Sequence, residues 1–279
     1  MLQNQGSYRD LLPVRLRRVL GALSRSVRMN AKGTMLRYQS PLPAGHTGSV
    51  QILCLHHRRH RESELCDFVA WLRLSYELIS YSEAIERITQ SRFDECALAL
   101  AFDDGLVSQY HAAHTLSRLG VSACFFVCPG VIGERPEISN EAFFRDRLMI
   151  RPQGIMSWDQ LRELRSLGHE VGSHTCTHPN LALVDGALAR HELSHSKQWI
   201  EREIGLCDHF AWPYGTPAAI SEELLDFGEL LGYRSMASAI AGRYGPGACT
   251  LSIRPWIRRV PLECHWPRRS LRAMLRSCG

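Results

Sequence analysis

No run of 18 apolar residues occurs in the 279-residue chain, so no bilayer-spanning helix is expected. The N-terminus has no apolar signal core either. The opening MLQNQGSYRDLLPVRLRRVL is interrupted by arginines throughout, and no secretory signal is read from it. Ten cysteines are present, but none forms a C-x-x-C pair, and their scatter does not describe a disulfide framework. Cys54, Cys124 and Cys128 sit inside apolar runs, where a thiol behaves as a small hydrophobe. A structural zinc site at Cys124 and Cys128 is set aside because both fall on a predicted strand. Reduced thiols in a cytoplasmic protein are therefore the expectation. Internal repeats and low-complexity tracts are absent. Basic residues interleaved with aromatics are also missing, so no nucleic-acid partner is expected.

Charge, by contrast, is unevenly placed. Residues 1–40 hold seven Arg and one Lys against one Asp, a net +7 in a chain whose total is +5; the remainder carries −2. LLPVRLRRVLGALSRSVRM mixes Leu, Val and Ala with Arg at roughly helical spacing. One reading is a basic amphipathic helix on an anionic membrane surface. The preferred one is a helix packed on its own domain with a solvated basic face. SPLPAGHTGS then reads as a turn-rich linker, so residues 1–49 form a basic extension and linker.

From residue 50 onward, apolar strands alternate with amphipathic helices. VQILCL, ELIS, ALALAF, SACFFVC, HEVGSH, HFAW, YRSMAS and RRVPL read as strands. ESELCDFVAWLRL reads as a helix with Leu65, Phe68, Val69 and Leu72 on one face. Ser82 is expected to cap SEAIERI, and Ser157 to cap SWDQLRELRSLG, with Gly168 just past its end. Further helices are expected at 107–119, 187–204 and 221–231. Strands separated by helices argue for a parallel sheet with crossovers. About seven strands in this length fit a (β/α) barrel better than separate domains, with an open doubly wound sheet as the alternative.

ALALAFDDGL ends a buried strand on two adjacent carboxylates, Asp103 and Asp104. In a parallel α/β fold that strand end is where sites form. Neighbouring carboxylates repel each other unless a positive charge is close, and a metal ion supplies one. GHEVGSHTCTHPNL places His174 and His178 four positions apart at another strand end. Two imidazoles with one carboxylate make a set that leaves open positions. FAWPYG ends a third strand. Any one of these signals is weak, and the three together are strong.

These residues resemble the polysaccharide deacetylases with a NodB homology domain, carbohydrate esterase family 4. LAFDDG resembles that family's first motif, SHTCTH its second and FAWPYG its third, over residues 50–262. The resemblance implies a distorted (β/α) barrel of NodB type and metal-dependent removal of acetyl groups from an acetylated carbohydrate. It implies that Asp104, His174 and His178 hold one divalent ion, zinc first, with Co, Ni, Fe or Mn also suited. It implies that Asp103 is the general base. The backbone N–H of Tyr214, after Pro213, would meet the oxyanion. Such a metal makes water more acidic and polarises a carbonyl.

An amine also needs a general acid to leave. Many members carry a histidine in a late L-x-H motif, which is not clear here after residue 220; His265 lies in a segment that reads as exposed. ILCLHH instead resembles the opening of a subgroup with rearranged motif order, in which His56 aligns with the acid and His57 is the fallback. A second departure is Ala211, where many members have an Arg that orients the base. Arg259 in RRVPL resembles a late segment of that subgroup and is expected to replace it. Trp158, Trp212 and Tyr214 are candidates to stack on a sugar ring. Residues 263–279 are set apart as a basic C-terminal tail. The expected function is N-deacetylation of a sugar, glycan or glycan precursor. O-deacetylation, deformylation and silent sugar binding are the rivals.

Overall fold

The alternation in CALALAF decides which way each side chain of the central strand faces. Successive residues of a strand point to opposite sides. Leu98, Leu100 and Phe102 join the core beneath the outer helices, while Ala97, Ala99 and Ala101 join a second core on the other face. The computed structural model describes residues 48–56, 61–134, 136–246 and 256–277. The basic extension, nearly all of the linker and His57 lie outside the described residues.

Nine strands form one sheet, in which β1 is Ser49–Leu55, β2 Glu77–Leu78, β3 Cys96–Phe102, β4 Ala123–Val127 and β5 Glu170–Ser173. The rest are β6 His209–Ala211, β7 Ser235–Ala237, β8 Trp256–Ile257 and β9 Val260–Pro261. Their order is β8-β7-β6-β5-β4-β3-β1-β9, with β2 beside β3. Every ladder between these strands is parallel. The two ends of that order, β8 and β9, are consecutive in the chain, with Arg258 and Arg259 between them. Three Cα steps reach at most ~11 Å. The sheet must therefore curl until its ends nearly meet, which makes it a distorted (β/α) barrel of NodB type. Eight of the nine match segments read as strands in the sequence, β2 within ELIS and β9 within RRVPL; β8, with two residues, is too short to show a period.

Outside the sheet lie α1 (Glu62–Leu72), α3 (Val107–Arg118), α4 (Trp158–Ser166), α5 (Gly186–Ile204), α6 (Glu222–Leu230) and α7 (Arg268–Ser277). The face expected for α1 is buried: Leu65, Phe68, Val69 and Leu72. Between α1 and α3 in the chain, α2 (Tyr81–Thr89) packs Tyr81, Ala84, Ile85 and Ile88 with the inner-face alanines. Its N-cap is Ser80, whose hydroxyl accepts from the Glu83 N–H at 3.1 Å, rather than Ser82. The Ser82 hydroxyl instead donates to Glu170 at 2.5 Å. Ser157 caps α4 as expected, and Gly168 follows it at φ +86°. The segment read as a basic tail contains α7, whose Leu271 and Leu275 are fully buried in the core. Its spacing of apolar residues among arginines is that of a packed helix.

Candidate active site

Register brings the motif residues to one end of the sheet. Leu55 pairs with Phe102, so His56 and Asp103 leave adjacent strands at the same level. Val127 pairs with Ser173, and the His174 N–H continues that ladder to the Val127 carbonyl at 2.9 Å. At these ends the backbone turns into the left-handed region. Among the described residues, six non-glycine positions have positive φ, and four of them belong to the three motifs: Asp104 (83°), Thr175 (68°), His178 (59°) and Tyr214 (63°). Such conformations cost of order 1–3 kcal/mol each and persist where the surroundings fix them. For Asp104 the turn reverses the strand's alternation, so two neighbouring carboxylates face the same cavity.

Asp104 Oδ1 lies 3.7 Å from His174 Nε2 and 3.6 Å from His178 Nε2. All three residues are buried. His174 Nδ1 donates to the Ala211 carbonyl at 2.6 Å. That bond fixes the tautomer and leaves the Nε2 lone pair facing Asp104. Burial lowers the pKa of both histidines, and His174 adds to the effect on His178, which is pushed down to about 3. Neutral rings with converging lone pairs beside a carboxylate fit a divalent cation. Other residues hold the loop that carries the two rings. Buried Glu192 on α5 accepts from the Cys176 N–H at 2.7 Å, the Thr177 N–H at 2.9 Å and the Thr177 hydroxyl at 2.6 Å.

Asp103 is gripped differently. Arg259 donates to both of its oxygens, Nη1 to Oδ1 at 2.7 Å and Nη2 to Oδ2 at 2.9 Å, while its Nε donates to the Ser238 carbonyl at 2.8 Å. Burial alone would raise the Asp103 pKa. The guanidinium outweighs it and holds the carboxyl well below the ordinary carboxylate range. The Cys54 thiol, kept protonated chiefly by burial, adds a third donor to Oδ2 at 3.2 Å. The Gln109 side-chain amide bridges the Asp103 carbonyl and the His56 carbonyl, the latter at 2.8 Å. His56 Nδ1 lies 3.8 Å from Glu263 Oε1, which also accepts from the His56 N–H at 3.4 Å.

His56, Asp103, Asp104, His174, His178 and Tyr214, among others, line one cavity of about 200 Å³. Trp212 also lines it but is only 1 % exposed, with its indole N–H on the Thr216 carbonyl at 2.9 Å. Tyr214 is 41 % exposed at the rim. Trp158 packs against Trp199 and does not line the cavity. His265 is exposed and also lies outside the cavity lining. Pro213 sets the tight turn before Tyr214. Gly215 (φ +60°) then passes so close to Ala239 that a Cβ would lie 2.3 Å from the Ala239 Cβ. Sequence reasoning missed Cys54, Gln109, Glu192 and Glu263. A signal existed for Glu192 alone, a carboxylate within the apolar stripe of Ala189, Leu193 and Ile200.

Fold and site together define a class: a parallel (β/α) barrel with a His₂Asp set beside an arginine-clamped carboxylate at its strand ends. The sequence profile of the polysaccharide deacetylase family matches residues 90–236, just over half of the chain. The chain belongs to that family, whose members are hydrolases that deacetylate carbohydrates. His56 and Arg259 fall outside the matched range. Among solved structures, the Streptococcus pyogenes deacetylase PplD, in complex with acetate, shares 14 % identity at a TM-score of 0.62. That alignment covers 84 % of this chain and 100 % of PplD. IcaB from Ammonifex degensii shares 20 % identity at a TM-score of 0.62, over 83 % of this chain and 98 % of IcaB. The BpsB deacetylase domain from Bordetella bronchiseptica shares 18 % identity at a TM-score of 0.58, over 77 % of this chain and 96 % of that domain. At these identities the likeness is one of fold. No curated protein matches in sequence. Among the described residues, no helix is long and apolar enough to cross a membrane.

Proposed function

We propose that the chain is a metal-dependent hydrolase that removes an N-acetyl group from a sugar, glycan or glycan precursor. The observation that carries this reading is the division of labour between adjacent carboxylates. Asp104 faces two neutral imidazoles, while Asp103 faces a guanidinium. Asp104, His174 and His178 would hold the ion, zinc by first preference. When bound, such an ion makes water more acidic and polarises the acetyl carbonyl.

The chain's own groups supply the rest. Asp103, kept ionised by Arg259, accepts a proton from the attacking water at a carboxylate oxygen. The Tyr214 backbone N–H supports the oxyanion. His56 delivers a proton to the amine nitrogen as the C–N bond breaks, and acetate leaves. The cavity measures about 200 Å³. That suits an acetamido group and part of one ring, with Tyr214 stacked against the sugar. Arg147 also lines the cavity, and a guanidinium there suits a phosphate-bearing sugar precursor. The location we propose is the cytoplasm, supported by the eight described cysteines, which are all free thiols. Peripheral contact of residues 1–40 with an anionic membrane would show as vesicle binding that falls with added salt.

The test is acetate release across acetylated sugar nucleotides, lipid-linked sugars, chito-oligosaccharides and O-acetyl esters, alongside elemental analysis. About one equivalent of metal and activity on an N-acetyl sugar support the reading. Activity on esters alone points to O-deacetylation. Sugar binding with no turnover in the metal-loaded protein would overturn the enzyme reading.

A further inference from the structure

We propose that Glu137, His191 and His195 form a second divalent-cation site, on the outer face of α5 and outside the catalytic cavity. His191 and His195 are four residues apart on α5 and so project from one face of that helix. Their rings are nearly parallel, 17° between planes, with centroids 4.8 Å apart. Glu137 arrives from the loop after β4 and places Oε1 3.3 Å from His195 Nε2. One donor atom from each of the three lies within 4.8 Å of the others. Among the described residues, the Asp104–His174–His178 set is the only other cluster that meets this condition. Glu137 and His191 are exposed and His195 is half-buried, so solvent can complete the coordination. Imidazole with carboxylate suits borderline cations such as zinc, nickel or copper.

The position gives such an ion something to hold. The Glu137 N–H donates to the Gly130 carbonyl at 2.7 Å, and the Gly130 N–H donates to the Cys176 carbonyl at 2.9 Å. A Cβ on Gly130 would stand 2.6 Å from that Cys176 oxygen, so the two loops meet backbone to backbone. Glu192, beside His191 on α5, binds the Cys176 and Thr177 N–H groups from the other side. A cation bridging Glu137 to α5 would therefore brace the loop that carries His174 and His178. Its role is structural, and it needs no part in the chemistry.

Trp199, whose ring centroid is 5.4 Å from the His195 ring, reports on the site directly. The full-length protein, stripped and then dialysed against micromolar free zinc, should hold two equivalents. His191→Ala/His195→Ala should hold one, as should His174→Ala. Titration with nickel should quench tryptophan fluorescence in the wild type. A quenching component should persist in His174→Ala and be absent from His191→Ala/His195→Ala. Retention of the wild-type zinc content and the wild-type nickel quenching by the double variant would overturn the proposal. Because neither substituted histidine belongs to the buried core, the metal-free variant should melt close to the metal-free wild type, which separates loss of a site from loss of fold. Failure of His174→Ala to lose zinc would count against the catalytic metal set and leave the second site standing.

Discussion

Asp103 and Asp104 are chemically identical and adjacent, yet they should fail differently when altered. Asp103→Asn keeps the shape and removes the basicity. It should leave metal content near normal and lower kcat by roughly 10²–10⁴. Asp104→Asn removes a charged ligand, so metal content should fall and excess metal should restore part of the activity. Metal affinity and kcat measured together on both variants check the assignment, and the reverse pattern would exchange the two roles. Arg259→Gln leaves Asp103 as a buried charge without its partner, a loss of about 3–5 kcal/mol. Thermal melting should show that loss, and kcat should drop because Asp103 is no longer held ionised and oriented. The carboxylates and both histidines were legible in the sequence because charge at the end of an apolar run is conspicuous. Arg259 was legible only through the resemblance of RRVPL to a late segment of the subgroup, with Ala211 marking where a cation was wanted. Cys54 and Gln109 were not legible. A thiol in an apolar strand and a glutamine in a helix have many structural roles, and only the register of β1 against β3 sets these two beside Asp103.

Elements were read well where their period is long. The strands β1 and β3, the face of α1 and the cap of α4 all follow from alternation, 3.6-residue spacing and a serine hydroxyl. Two-residue strands carry no period, so β8 went unseen. Two serines only two residues apart, Ser80 and Ser82, competed for the cap of α2, and a tertiary partner, Glu170, engages Ser82 and leaves the cap to Ser80. A similar tertiary junction joins α3, β4 and β5 through His169. Its Nδ1 accepts from the Ala123 N–H at 3.2 Å, so Nε2 carries the proton and donates to the Ala113 carbonyl at 3.0 Å. A second proton on Nδ1 would evict the Ala123 bond. Burial accordingly holds the His169 pKa below its usual 6.5. The unfolded chain then takes up the proton first as the pH falls. This contribution to stability is complete above about pH 6.5 and is lost progressively below it. Melting temperatures between pH 7.5 and 5.5 should fall more steeply for the wild type than for His169→Gln, the difference being bounded by about 1.4 kcal/mol per pH unit for one proton. Equal slopes would mean that His169 does not titrate differently in the two states.

Across the whole molecule, one stretch after residue 255 does three jobs. β8 and β9 complete the sheet, Arg259 crosses between its two ends to reach Asp103, and α7 covers the outside. The segment that closes the barrel therefore also supplies the cation that clamps Asp103. A chain with Ala211 in its third motif can thus still present a cation to Asp103. The final helix is held firmly. Arg268 lies over the Trp71 ring at 5.0 Å, and the fully buried Gln51 of β1 donates its amide to the Leu275 carbonyl at 3.2 Å. Four arginines in residues 263–279 made this region read as a basic tail. The decisive signal was instead Leu271 and Leu275, one helical turn apart. Leu271→Ala should therefore cost about 2–5 kcal/mol, the range for emptying a packed leucine site. For a domain of this size each kcal/mol lowers the melting temperature by roughly 2–4 °C, so the shift should be easily measured. Arg269→Ala, at an exposed position of the same helix, should change stability by no more than about 0.5 kcal/mol. A Leu271→Ala protein that melts with the wild type would show that this helix is not part of the fold. A destabilised variant with reduced kcat at temperatures where it remains folded would show that α7 also steadies the strand link carrying Arg259.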